Sequence, residues 1–99
     1  MAIRMKRGSG NIFVDVGFPK KEAVNLLIRS RLMLEVTDLI DKRKLTQKRA
    51  AKLLGVTQPR ISNLIRGRLE LFSIDSLVEM LTILGVEIRI SARRQTRVA

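Results

Sequence analysis

Gln58, Arg60, Ser62 and Asn63 fall within six consecutive residues of the run Thr57-Gln58-Pro59-Arg60-Ile61-Ser62-Asn63. The side-chain amides of Gln and Asn donate and accept at once, which suits the paired donor and acceptor on an adenine edge. The Arg fork matches the two acceptors of guanine, and a Ser hydroxyl serves either base. Ile61, with Leu64 and Ile65 just beyond the run, recurs at i, i+3 and i+4. The polar set would therefore share a helix whose opposite face is buried.

The elements that must hold these side chains are legible between Leu45 and Gly67. Thr46 is a candidate N-cap, its hydroxyl able to accept from an unpaired first-turn N–H. Gln47 to Leu54 are good helix formers, with Ala50, Ala51, Leu53 and Leu54 expected inward. Gly55 stands where a helix ends in a left-handed residue. Val56 plugs the corner, Thr57 caps a second helix, and Pro59 falls in its first turn, where a missing N–H costs little. Gly67 closes that helix as Gly55 closes the first. Two helices joined through so short a glycine turn make a helix-turn-helix, whose second helix enters the major groove with its N-terminal side chains at the bases. A plain helical hairpin shares the helix–glycine–helix outline but has no need of the joint pattern.

The chain has 99 residues and a net charge of +11, with 45% hydrophobic residues. That suits one domain with a modest core and a polyanionic partner. Nine basic residues, Lys42, Arg43, Lys44, Lys48, Arg49, Lys52, Arg60, Arg66 and Arg68, occur from 42 to 68 without one Asp or Glu. A merely solvated face mixes its signs; this run has the footprint of phosphate neutralisation. Lys48, Arg49, Arg66 and Arg68, with the hydroxyls of Thr46 and Thr57, are assigned to phosphates.

Histidine and cysteine are both zero, which excludes zinc fingers, His- or Cys-based catalysis and a disulfide framework. No cofactor site or glycine-rich phosphate loop is present. Tyr and Trp are absent and Phe numbers 3, so a stacking platform for single strands is disfavoured. The nine acids are scattered, and no enzymatic activity is expected. No apolar run approaches the ~20 residues of a membrane span, and the basic N-terminus lacks the apolar core of a secretory signal. A membrane-surface role for the basic amphipathic helices is opposed by the lack of interfacial Trp.

In chain order, 1–10 is expected to be a flexible basic tail with Arg4, Lys6 and Arg7, 11–91 one DNA-binding domain with its motif at 45–67, and 92–99 a basic C-terminal tail with Arg93, Arg94 and Arg97. Ile12, Val14 and Val16 alternate as in a short strand. Pro19 or Lys20 begins a helical region reaching about Lys42. Val24, Ile28, Leu32, Val36 and Leu39 form its core stripe, but other sides are also apolar. Either the helix breaks near Arg29 to Arg31, or Leu26, Leu27, Met33 and Leu34 face a protein partner. Leu69 to Phe72 is a linker, Ser73 an N-cap, and Ile74, Leu77, Val78, Leu81 and Leu84 a further helix ended by Gly85. Val86 to Ser91 alternates as a strand, and a lone strand needs a partner. The choice lies between Ile12 to Val16 and the same strand of a second copy. The second copy is favoured, with Val86, Ile88 and Ile90 as the dimer strand, because paired half-sites call for two-fold symmetry.

The run Gly10 to Phe13, Asp15-Val16-Gly17, Leu45-Thr46-Gln47, Gly55 to Ser62, Leu64, Arg66-Gly67 and Phe72-Ser73 to Leu84-Gly85 resembles the lambda-repressor/Cro-like (XRE-type) helix-turn-helix family, within it the small HigA-like antitoxins. The likeness spans roughly residues 9 to 91. It implies an all-α, lambda-repressor-like domain of four to five helices with a short C-terminal β-strand. It implies a homodimeric repressor of the bacterial cytoplasm and nucleoid, bound to a pseudo-palindromic double-stranded operator. It further implies a RelE/HigB-like toxin partner and autorepression of the shared operon. Gln47 would then hold a phosphate, and Gln58, Arg60 and Asn63 would approach bases. A prophage or stand-alone repressor without a toxin is the alternative. Ile65 departs from the family, many members of which carry an acid there, and the tail after Ser91 lies outside the pattern.

Overall fold

Lys20–Lys42 forms one continuous helix, α2, on which the other elements are assembled. The computed structural model describes residues 2–3 and 11–94; the expected tail residues Arg4, Lys6, Arg7 and Arg97 lie outside them. In order come β1 (Ala2–Ile3), α1 (Ile12–Asp15), α2, α3 (Gln47–Leu54), α4 (Gln58–Ile65), a 3-10 turn (Leu69–Leu71), α5 (Ile74–Ile83) and β2 (Arg89–Ile90). The expected all-α core with one short C-terminal strand is what forms. α2 packs along α5, while α3 and α4 pack on each other and close the core against both.

One cluster joins Leu32, Met33, Val36 and Ile40 of α2, Ala50, Ala51 and Leu54 of α3, Ile61 and Leu64 of α4, Phe72, and Leu77, Met80, Leu81 and Leu84. Each wholly buried Leu or Ile among them contributes about 1.5–3 kcal/mol of apolar transfer. Within the helix-turn-helix two expectations fail: Leu53 is 45% exposed and Ile65 46%. Each helix is only eight residues long, so the face it shows its neighbours is narrow and the flanking apolar positions stay outside it.

Residues 12–15 are helical, not extended. Asn11, itself buried, accepts at Oδ1 from the Phe13 N–H at 2.9 Å. The Phe13 and Phe18 rings meet edge-to-face at 6.1 Å, and the Phe18 N–H donates to the Phe13 carbonyl. A cap and a ring pair thus close a turn that an alternation of three apolar residues cannot hold open.

α2 does not break at Arg29. That side chain donates from Nε to Asn25 and from Nη1 to the Leu69 carbonyl, at 2.8 and 3.0 Å, so its polar side is tied to the 3-10 turn. The expected partner patch dissolves with it. Leu27 and Met33 are buried in this chain, Leu26 is half-buried, and Leu34 alone is exposed. The apolar excess of α2 is absorbed by α5 on one side and α1 on another.

The C-terminal strand is shorter than expected and has a partner in the same chain. Ala2 pairs with Arg89 and Ile3 with Ile90, in parallel, so Ile12 to Val16 is not its neighbour. Val86 and Ile88 pack against the core, which leaves Ile90 as the exposed member of the expected dimer strand.

Candidate nucleic-acid interface

The two helices of the motif begin and end as their residues dictate. Thr46 Oγ1 accepts from the Arg49 N–H at 3.1 Å and Thr57 Oγ1 from the Arg60 N–H at 3.3 Å. Gly55 and Gly67 take positive φ values of 67° and 74°, which an L side chain adopts only with strain. The Val56 N–H returns to the Ala51 carbonyl at 3.0 Å and the Arg68 N–H to the Asn63 carbonyl at 3.1 Å. The turn between α3 and α4 is thereby closed by backbone, with Val56 half-buried at the corner.

On α4, Ile61 and Leu64 are wholly buried. Helical spacing then places Pro59, Ser62, Asn63 and Arg66 on the outward side, with Gln58 and Arg60 on the two flanks. Gln58, Pro59 and Arg66 are exposed, and Ser62 and Asn63 are half-buried. Gln58, Ser62 and Asn63 therefore all reach the surface of α4. Arg60 is placed differently: its Nη1 donates to the Leu71 carbonyl at 2.7 Å, and its guanidinium lies 4.1 Å from the centre of the Phe72 ring.

The cations of the basic run divide into paired and unpaired. At one end of the basic run Lys42 Nζ meets Asp38 at 2.9 Å, and the hydrogen bond to that carboxylate holds the ammonium above its ordinary value. At the other end Arg68 Nε donates to Glu70 at 2.6 Å, a bond that holds the Glu70 carboxyl below its usual range. Among the described residues no carboxylate pairs with Lys44, Lys48, Arg49, Lys52 or Arg66, and all are exposed. Gln47 and Thr46 are exposed at the start of α3, beside Lys48 and Arg49. Of the residues assigned to phosphates, Arg68 is the one already engaged by an acid.

The structure adds residues that spacing did not reveal. Arg29 and Arg43 tie α2 to segments that follow the motif, Arg29 by donating to the Leu69 carbonyl at 3.0 Å and Arg43 to the Leu84 carbonyl at 2.6 Å, and Phe72 lies under Arg60. Their partners lie 40, 41 and 12 residues away in the chain, and no local pattern reports such pairings. Among the described residues no group of acids could hold a metal ion, and no helix is long and apolar enough to cross a membrane.

Residues 12–93 match the model of a family described as a helix-turn-helix domain. A solved structure assigned to the XRE family of transcriptional regulators is similar to the chain at 32% identity. It covers 79% of this chain and 90% of its own, with a TM-score of 0.70. None of the curated proteins compared with the chain matches it.

Proposed function

The chain belongs to the helix-turn-helix family matched by residues 12–93 and is a DNA-binding transcriptional regulator of XRE type; from that premise we propose that it represses transcription by binding one duplex sequence. The observation that supports this most is the presence within one short motif of two kinds of surface group. Gln58, Ser62 and Asn63 offer hydrogen bonds on α4, and Lys44, Lys48, Arg49, Lys52 and Arg66, within or next to the two motif helices, are exposed cations without a carboxylate partner among the described residues. Base contacts specify and phosphate contacts position. Gln47, Thr46 and Thr57 add neutral donors toward the backbone, and Arg68 competes with its own acid for that role. The test is the salt dependence of binding to a duplex. Replacing Lys48 or Arg49 with Ala should weaken specific and random duplexes alike. Each replacement should also reduce the slope of log affinity against log salt by about one, for the one phosphate no longer neutralised. An unchanged slope rejects the assignment.

The finer reading is a homodimer on a pseudo-palindromic operator, autorepressing in the bacterial cytoplasm as the antitoxin of a RelE/HigB-like toxin. Its support is the resemblance of residues 9 to 91 to HigA-like antitoxins. The toxin surface cannot be the expected one, because Leu27 and Met33 are core residues. Leu34, exposed beside Glu35, Asp38 and Asp41 on α2, is the remaining apolar point near acids that a basic toxin would need. Co-expression with the neighbouring gene, followed by purification of wild type and Leu34→Asp, tests it. Co-purification abolished by the substitution supports the antitoxin reading, and no co-purifying neighbour leaves the stand-alone repressor.

A further inference from the structure

Arg60 has the side chain best suited to guanine and stands in the first turn of α4, yet its guanidinium is committed elsewhere. One nitrogen donates to the Leu71 carbonyl at 2.7 Å, and the plane lies over Phe72, which is 2% exposed. At the other end of that turn, the Leu69 carbonyl accepts from Arg29 at 3.0 Å. Two guanidiniums, from α2 and from α4, thus hold both ends of the 3-10 turn that leads into α5. We propose that Arg60 is a positioning residue: it sets the pitch of α4 against the Leu69–Leu71 turn and leaves direct readout to Gln58, Ser62 and Asn63.

The chemistry of the pair favours this. To reach a base edge, Arg60 must give up a hydrogen bond and an aromatic face together, both of which hold it along the protein. Lysine carries the same charge but has no planar fork and stacks poorly, so Arg60→Lys separates charge from geometry. A side chain that reads guanine leaves its mark at one base-pair position. A side chain that orients the helix weakens the best site and leaves the order of preferences at every position intact.

The inference rests on the reading of this chain as a sequence-specific DNA binder. Sites enriched by the wild type from a random duplex pool would be measured, with every single base-pair variant, against wild type, Arg60→Lys, Arg60→Ala, Phe72→Leu and the Arg60→Ala/Phe72→Leu pair. We expect Arg60→Lys and Arg60→Ala each to lose about tenfold on the best site, the size of one hydrogen bond and one cation–ring contact. Base preferences and salt slope should stay those of the wild type, and the pair should lose less than the product of its single losses. If Phe72→Leu does not fold, Arg60→Lys decides alone. Loss of preference at one position only, with Arg60→Lys near wild type, overturns the proposal, as does a salt slope lowered by about one. A wild type that enriches no site overturns the parent reading and this inference with it.

Discussion

The helix-turn-helix and the α1–α2 arm are built from similar residues and held by different means. In the motif each helix starts at a threonine that caps it and stops beside a glycine with positive φ. In the arm, α2 starts at Pro19 without a side-chain cap, and its end passes through Lys44 at φ 53°, a left-handed residue that is not glycine. Its end is also closed by backbone, the Leu45 N–H on the Ile40 carbonyl at 3.0 Å, and two pairings far off in the chain, Arg29 on Leu69 and Arg43 on Leu84, tie it to its neighbours. The short helices of the motif are set by caps at their own ends, while the long scaffold helix adds bonds to segments distant in the chain.

Core truncation should separate the two regions most. Leu64 is wholly buried on the inner side of α4 and Leu34 is 65% exposed on α2. Leu64→Ala should cost about 2–5 kcal/mol, and Leu34→Ala should stay within about 0.5 kcal/mol, by urea denaturation. Comparable losses would mean that Leu34 is covered in solution. The left-handed positions come next. A β-carbon at Gly55 meets open space, so Gly55→Ala should cost only its backbone strain, about 1–2 kcal/mol. Lys44→Gly should raise the melting temperature, because it removes the same strain from the end of α2. A fall on Lys44→Gly would show that the side chain has a partner worth more than the strain.

Thr57→Ala should cost about 1 kcal/mol and Thr57→Ser little, since the serine hydroxyl keeps the cap. Acidity should have the smallest effect. The Glu70 carboxyl titrates below its ordinary value because Arg68 donates to it. Its contribution is therefore present above the unfolded value and lost as pH falls through the folded one. Lys42 is raised by Asp38, so its contribution is present below the unfolded value and lost as pH rises through the folded one. Both groups are exposed, and the sequence has no histidine. Thermal melts should accordingly be flat across about pH 6 to 9.

The same contrast explains which features local sequence reveals. Thr46, Gly55, Thr57, Gly67, Ser73 and Gly85 act within a few residues of themselves, and each sits where its type implied. The burial of Leu27 and Met33 and the exposure of Leu53 and Ile65 depend on neighbours from other elements. An alternation as brief as Ile12, Val14, Val16 suits either period, and the Asn11 cap and the Phe13–Phe18 contact decide it. On α4 the exposed and half-buried polar residues were legible by type. The turning of Arg60 onto Phe72 was not, because the carbonyl it bonds belongs to a turn that only the tertiary structure brings beside α4.

The central claim is that α4 reads bases while the cations around it hold phosphates. It is tested most directly by fluorescence anisotropy of the wild type and the Gln58→Ala/Asn63→Ala double variant, each on the selected site and on a scrambled duplex. The double variant should lose about 1–3 kcal/mol per base contact on the selected site and bind the scrambled duplex as the wild type does. Equal losses on both duplexes, or no loss on either, would contradict the claim.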